Sequence, residues 1–148
     1  MKFNFIKKLL GFKPENSKPE HVKPKHIEIY GYDFDGVVSL GINPRNENDV
    51  IITGRCIDET EYVYAVLKER GIKNKVYFNP MTLEERGNHT LSARRHSGKH
   101  KAITIRNLKA NRIHVQRFFE DDRVQAKIIN EKWPKIEIVE VISKLVEK

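Results

Sequence analysis

The segment Tyr30-Gly31-Tyr32-Asp33-Phe34-Asp35-Gly36 sets two carboxylates one residue apart at the end of an apolar run. Ionised carboxylates are hard oxygen donors. A pair at this spacing can approach one divalent cation or flank one phosphate if the backbone bends there. Gly36 permits the bend, because glycine enters backbone conformations closed to other residues. A second acidic pair, Asp121-Asp122, follows Phe118-Phe119-Glu120. A third group, Thr53-Gly54-Arg55, follows Val50-Ile51-Ile52 and offers a hydroxyl, free backbone N–H groups and a guanidinium, all donors to phosphate oxygens. Each group alone has a plain reading. Asp and Gly are common turn residues, and Asp121-Asp122 suits an N-cap and first helical turn.

An alternation of strands and helices must position these groups. Apolar patterning predicts strands over 26–33, 49–53, 75–79, 114–120 and 136–142, and helices over 58–71, 99–110 and 122–133. Asp58 is placed to cap the first helix and Gly71 to end it. Residues 80–98 read as a long loop, and long loops in compact domains are often functional. The β-α order predicts an α/β fold: a Rossmann-like, three-layer α/β/α arrangement around a five-stranded parallel sheet. Open parallel sheets bind ligands at the carboxyl ends of their strands. All three groups lie at such ends, so the four aspartates and Thr53 can converge.

In this order the groups resemble the motifs of the haloacid dehalogenase-like (HAD) superfamily of phosphotransferases, over roughly residues 27–142. Asp33-Phe34-Asp35-Gly36 resembles its first motif and Thr53 its second. A lysine near 99–101 resembles its third, and Asp121-Asp122 its fourth. Val37 stands where a common phosphatase pattern has Thr. Thr-Gly-Arg at 53–55 and Asp-Asp-Arg at 121–123 are also similar to the 3′-phosphatase domain of phage-type polynucleotide kinases. No phosphate loop of a kinase is present.

The resemblance implies a Mg²⁺-dependent phosphomonoesterase working through an aspartyl-phosphate. Asp33 would be the nucleophile and Asp35 the general acid and base. Thr53, Gly54, Arg55 and a lysine would hold the transferring phosphoryl group. Lys101 fits the apolar pattern of Ile103, Ile105 and Leu108 better than Lys99, which stays the alternative. Asp121 and Asp122, with Asp33 and the backbone carbonyl of Asp35, would surround Mg²⁺. The dozen residues after Gly36, and residues 80–98, are too few for a folded cap domain, so the site is expected to be open. An open site suits a large substrate such as a phosphorylated nucleic-acid 3′ end, or a nucleotide. The other reading is a catalytically silent, basic nucleic-acid-binding module on the same fold.

Composition agrees with an anionic partner. The 148 residues carry a net charge of +8. From Arg86 to Arg117 there are nine Lys or Arg and no acid, and Arg94 and Arg95 are candidate nucleic-acid contacts. Residues 1–26 hold seven lysines against Glu15 and Glu20. Phe3, Ile6, Leu9, Leu10 and Phe12 make a basic amphipathic segment suited to a weak membrane-surface contact or to docking. A Pro/Lys-rich linker follows, and the folded domain is expected over 27–148. No apolar run reaches the ~18 residues of a membrane span. The single cysteine, Cys56, rules out an internal disulfide and a cysteine-built zinc site, and a reducing, cytoplasmic setting is the simplest expectation. His96 and His100 are four apart, but no helix is expected before residue 99 to bring them together.

Overall fold

The computed structural model describes residues 22–142. The amphipathic segment, most of the linker and the last six residues lie outside them. Five strands form one sheet: β1 (Ile27–Tyr32), β2 (Val50–Cys56), β3 (Val76–Asn79), β4 (Ile113–Glu120) and β5 (Glu137–Glu140). Helix α1 (Thr60–Glu69) joins β2 to β3. Helices α2 (Leu83–Arg86) and α3 (Leu91–Ala110) join β3 to β4, and α4 (Arg123–Lys132) joins β4 to β5. The order is β3-β2-β1-β4-β5, with every neighbouring pair parallel. This is the expected five-stranded parallel α/β sheet with helices on both faces.

Side-chain alternation with period two divides β2 between two cores. Val50 and Ile52 point to one face. There they join Ile29, Val115 and Phe118 under Ile105 and Leu108 of α3 and Ile129 of α4. Ile51 points to the other face, with Tyr32, Val76 and Phe34, under Val63 and Leu67 of α1. The register of β4 against β1 slips between Ile29↔Val115 and Tyr30↔Arg117. The extra residue brings Val115 and Phe118 to the same face despite their odd spacing.

Chain order reverses beside β1. The chain moves out through β2 and β3, then returns to β4 on the other side of β1. Connections leaving β1 and β4 therefore diverge, and open a crevice at the carboxyl ends of these two strands. Asp33 follows β1 and Asp121 follows β4, so both groups lie at that crevice.

The region expected to be a loop over 80–98 is partly helical. Thr82 caps α2 by accepting from the Glu85 amide, and Thr90 caps α3 by accepting from the Ala93 amide. Helix α3 thus begins at Leu91 rather than near 99. Its first two turns carry many polar residues and a glycine, which hid the helical period. Asp58 does not cap α1. It sits in a 3₁₀ turn, and its carboxylate accepts from the Leu83 amide at 3.1 Å, tying α2 to the end of β2.

No cap domain fills the residues after Gly36. They fold back onto Asp49, a buried acid whose oxygens accept from the Tyr30 amide at 2.9 Å, the Tyr32 hydroxyl at 3.2 Å and both sides of the Arg45 guanidinium at 3.0 Å. Burial alone would raise the Asp49 pKa, but the Arg45 pairing and these donors hold it below the usual carboxylate range. Arg70, just past the end of α1, donates to the Val38 and Ser39 carbonyls and closes the same loop from the other side.

Candidate active site

Asp33 is the first residue beyond β1, and its amide continues the ladder by donating to the Phe119 carbonyl at 2.9 Å. Its side chain is buried. Oδ1 accepts from the Phe34 amide at 2.8 Å and lies 2.9 Å from Lys101 Nζ. Lys101 is on α3, and the close approach of that helix to β2 depends on Gly54. A Cβ at Gly54 would fall 2.6 Å from Ser97 Oγ.

Lys101 has a second partner that the sequence reading did not single out. Glu120, the last residue of β4, places Oε2 2.6 Å from Lys101 Nζ, and its Oε1 accepts from the Asp122 amide at 3.1 Å. Burial alone would lower the Lys101 pKa, but the charges of Asp33 and Glu120 outweigh it and hold the ammonium above its ordinary value. Burial, with the charge of Asp33, pushes Glu120 well above the usual carboxylate range, against the pull of Lys101. An acid closing an apolar strand run was the available signal. A strand-end glutamate is an unremarkable residue until a cation is buried beside it.

Asp121 completes the cluster. Gly36 has φ +72°, and a Cβ there would lie 1.9 Å from Asp121 Oδ2. Positive φ and close approach both require glycine at 36, and together they press the Asp33–Gly36 turn against the β4 exit. Asp33, Glu120 and Asp121 each offer a carboxylate oxygen, with these oxygens all within 4.8 Å of one another. Burial, then the neighbouring Asp33 charge, pushes Asp121 up to about 6. Crowded carboxylates of this kind repel one another, and a hard divalent cation relieves the repulsion.

The other expected site residues are placed less directly. Asp35 does not turn toward this cluster. Its carboxylate is paired bidentately with Arg55, at 2.8 and 2.7 Å. Arg55 also donates to Glu59 at 2.8 Å, and these pairings hold its pKa above the ordinary value. Asp122 caps α4, accepting from the Val124 and Gln125 amides at 2.8 and 3.2 Å, and pairs with Arg94 at 2.8 and 3.1 Å. Burial would raise the Asp122 pKa, but Arg94 and the amides hold it below the usual range. Asp122 therefore serves the start of α4, while Asp121 faces Asp33. Arg94 is likewise engaged inside the site rather than free on the surface.

These groups line an open cleft of about 740 Å³ at the carboxyl edge of the sheet. Gly54, Arg55, Arg86, Arg94, Lys101 and Arg123 all reach it. Thr53 does not. It is buried beneath Gly54, where its hydroxyl accepts from the Arg55 amide at 3.0 Å and shapes the turn. Arg86 was not singled out by the sequence reading. It donates to the Gly54 carbonyl at 2.6 Å and fixes α2 across the cleft mouth. Lys99 and Arg95 are exposed on α3 outside the cleft lining, so Lys101 rather than Lys99 is the lysine at Asp33.

His96 and His100 share α3, but His96 is exposed while His100 faces the backbone of Thr53 and Tyr77. They form no metal pair. Cys56 is buried, and burial raises its thiol pKa, so it presents no nucleophile.

No protein-family profile, curated protein or solved structure matches this chain. Among the described residues, no helix is long and apolar enough to cross a membrane.

Proposed function

We propose that this protein is a HAD-like, capless, Mg²⁺-dependent phosphomonoesterase that acts through an aspartyl-phosphate, on a phosphorylated nucleic-acid 3′ end or a nucleotide. One observation carries the reading. Asp33, at the strand switch, touches the buried ammonium of Lys101 and stands beside Asp121.

Lys101 and the Phe34 amide both hold Asp33 Oδ1, which leaves Oδ2 to attack phosphorus. The bond from phosphorus to the leaving oxygen breaks as the bond from the Asp33 oxygen to phosphorus forms, and Asp35, protonated from solvent once released from Arg55, passes that proton to the leaving oxygen. Asp35 first has to leave Arg55, and a phosphate drawing the guanidinium toward itself does this. Water then attacks the phosphorus of the phosphorylated Asp33 and passes a proton to Asp35; phosphate is released, Asp33 is again a carboxylate and Asp35 again carries the proton for the next leaving oxygen. Asp33 and Asp121 would hold Mg²⁺, which supplies the positive charge that lets an anionic nucleophile approach an anionic phosphate. Asp122 and Arg94 keep the start of α4 in place beside them. Against a silent binding module stands the cost of burying Lys101 with the Asp33 and Glu120 carboxylates and crowding Asp121 against them, which a basic surface for nucleic acid does not need.

The test is phosphate release with Mg²⁺ from 3′-phosphorylated oligonucleotides, nucleotides and small phosphoesters. Turnover is expected, with loss in EDTA. Asp33→Asn should reduce kcat by ~10³-fold or more with an unchanged circular dichroism spectrum. Asp121→Ala should raise the Mg²⁺ concentration needed. Full turnover in excess chelator, or by the Asp33→Asn protein, overturns the reading.

A further inference from the structure

We infer that Tyr62 is a stacking platform for the base of the nucleotide that carries the phosphate. This rests on the phosphatase reading and narrows its substrate to nucleotides.

Tyr62 lies in the first turn of α1, the helix that follows β2, and so at the same sheet edge as Asp33 and Asp35. It is 53% exposed. Two contacts orient its ring, and both come from the site. The Arg55 guanidinium lies 4.9 Å from the ring centroid, while its other side holds Asp35. Phe34, between the two aspartates, meets the ring edge-on at 6.2 Å and 89°. The aromatic ring therefore stands one guanidinium beyond the proposed general acid, against Arg55, which lines the cleft.

Tyr64 gives a matched contrast. It is on the same helix and 51% exposed, but it packs on Phe78 of the outer strand β3. Proximity to Asp35 thus separates the two tyrosines, while exposure does not. Sites for single-stranded nucleic acid combine cationic groups for the backbone with aromatic faces for the bases. Here Arg55, Arg86 and Arg123 line the cleft, and Tyr62 is the exposed aromatic tied to it. A base and its own phosphate are joined by one sugar. A phosphate at Asp33, held by Arg55, directs the attached nucleoside outward past the guanidinium toward Tyr62.

The experiment measures fluorescence anisotropy with a 5′-labelled, 3′-phosphorylated single strand, and with the same strand made abasic at its last nucleotide. Wild type should bind the base-bearing strand about tenfold tighter, the scale of one base–aromatic stack. Tyr62→Ala should erase that ratio, Tyr62→Phe should keep it, and Tyr64→Ala should leave it as in wild type. Phosphate release with the two strands is followed in parallel, and the ratio should appear in KM rather than kcat. No preference in wild type, or a preference that survives Tyr62→Ala, overturns the inference. A Tyr62-dependent base preference without phosphate release would instead overturn the phosphatase reading and retain the platform.

Discussion

Lys101 Nζ stands 2.6 Å from Glu120 Oε2, with both side chains almost fully buried. The pair joins the middle of α3 to the end of β4, and the same ammonium touches Asp33. Glu120 thereby shares the lysine with the proposed nucleophile.

Loss of that acid should register first in stability. Breaking a buried pair costs about 3–5 kcal/mol where it leaves a charge uncompensated, and because Lys101 keeps Asp33, Glu120→Leu should fall below that range while still costing more than Glu120→Gln. Glu120→Gln keeps the volume and a hydrogen-bond acceptor while Asp33 still pairs with Lys101, so a cost of about 1–3 kcal/mol is expected. Urea unfolding of both variants measures this. Wild-type stability in Glu120→Leu would mean the pair contributes nothing to the fold.

Gly36→Ala combines two faults: a left-handed φ that costs an L-residue roughly 1–2 kcal/mol, and a methyl placed on the Asp121 carboxylate. The expected outcome is a lower Tm together with a higher Mg²⁺ requirement. A lower Tm with wild-type Mg²⁺ dependence would separate Gly36 from the metal position.

Arg94 and Arg95 are adjacent in sequence but should respond differently. Arg94→Ala removes the partner of Asp122 at the α4 N-terminus and should lower Tm. Arg95 is exposed, so Arg95→Ala should leave Tm unchanged and reduce the salt slope of oligonucleotide binding by about one. Identical behaviour of the two variants would contradict this division.

His100 predicts an acid-sensitive fold. Burial, then the charge of Lys101, pulls its pKa from 6.5 down to about 4. The native state thus prefers neutral imidazole, while the unfolded chain takes up a proton near 6.5. This contribution is fully present above pH 6.5 and is lost as pH falls toward 4. His100→Gln should flatten the Tm-against-pH curve in that window relative to wild type. Parallel curves for the two proteins would show that His100 does not titrate with unfolding.

Strand and helix order was legible because it rests on local period. Val50-Ile51-Ile52 alternates between the two faces, and the helical pattern of Ile105 and Leu108 places one side of α3 on the sheet. The first turns of α3 were not legible, because Thr90 capping and packing through Gly54 and Ser97 hold a polar stretch in a helix. Asp33 and Asp121 could be marked because strand ends of a parallel sheet face one edge whatever the packing.

The direction of each side chain at that edge is a tertiary matter. Asp35 and Asp122 have the same chemistry as Asp33 and Asp121, but each has an arginine within reach, Arg55 and Arg94, and turns to it. Residue order and type by themselves determined the parallel α/β sheet, the edge that carries the carboxylates and the apolar helical pattern that favours Lys101 over Lys99. Only the packed structure decided which carboxylates share Lys101, that Glu120 is one of them, and that Thr53 lies under the site rather than in it. The physical reason is range. Periodicity and turn chemistry act over a few residues, whereas these ion pairs depend on separations of 2.6–2.9 Å between groups far apart in the chain.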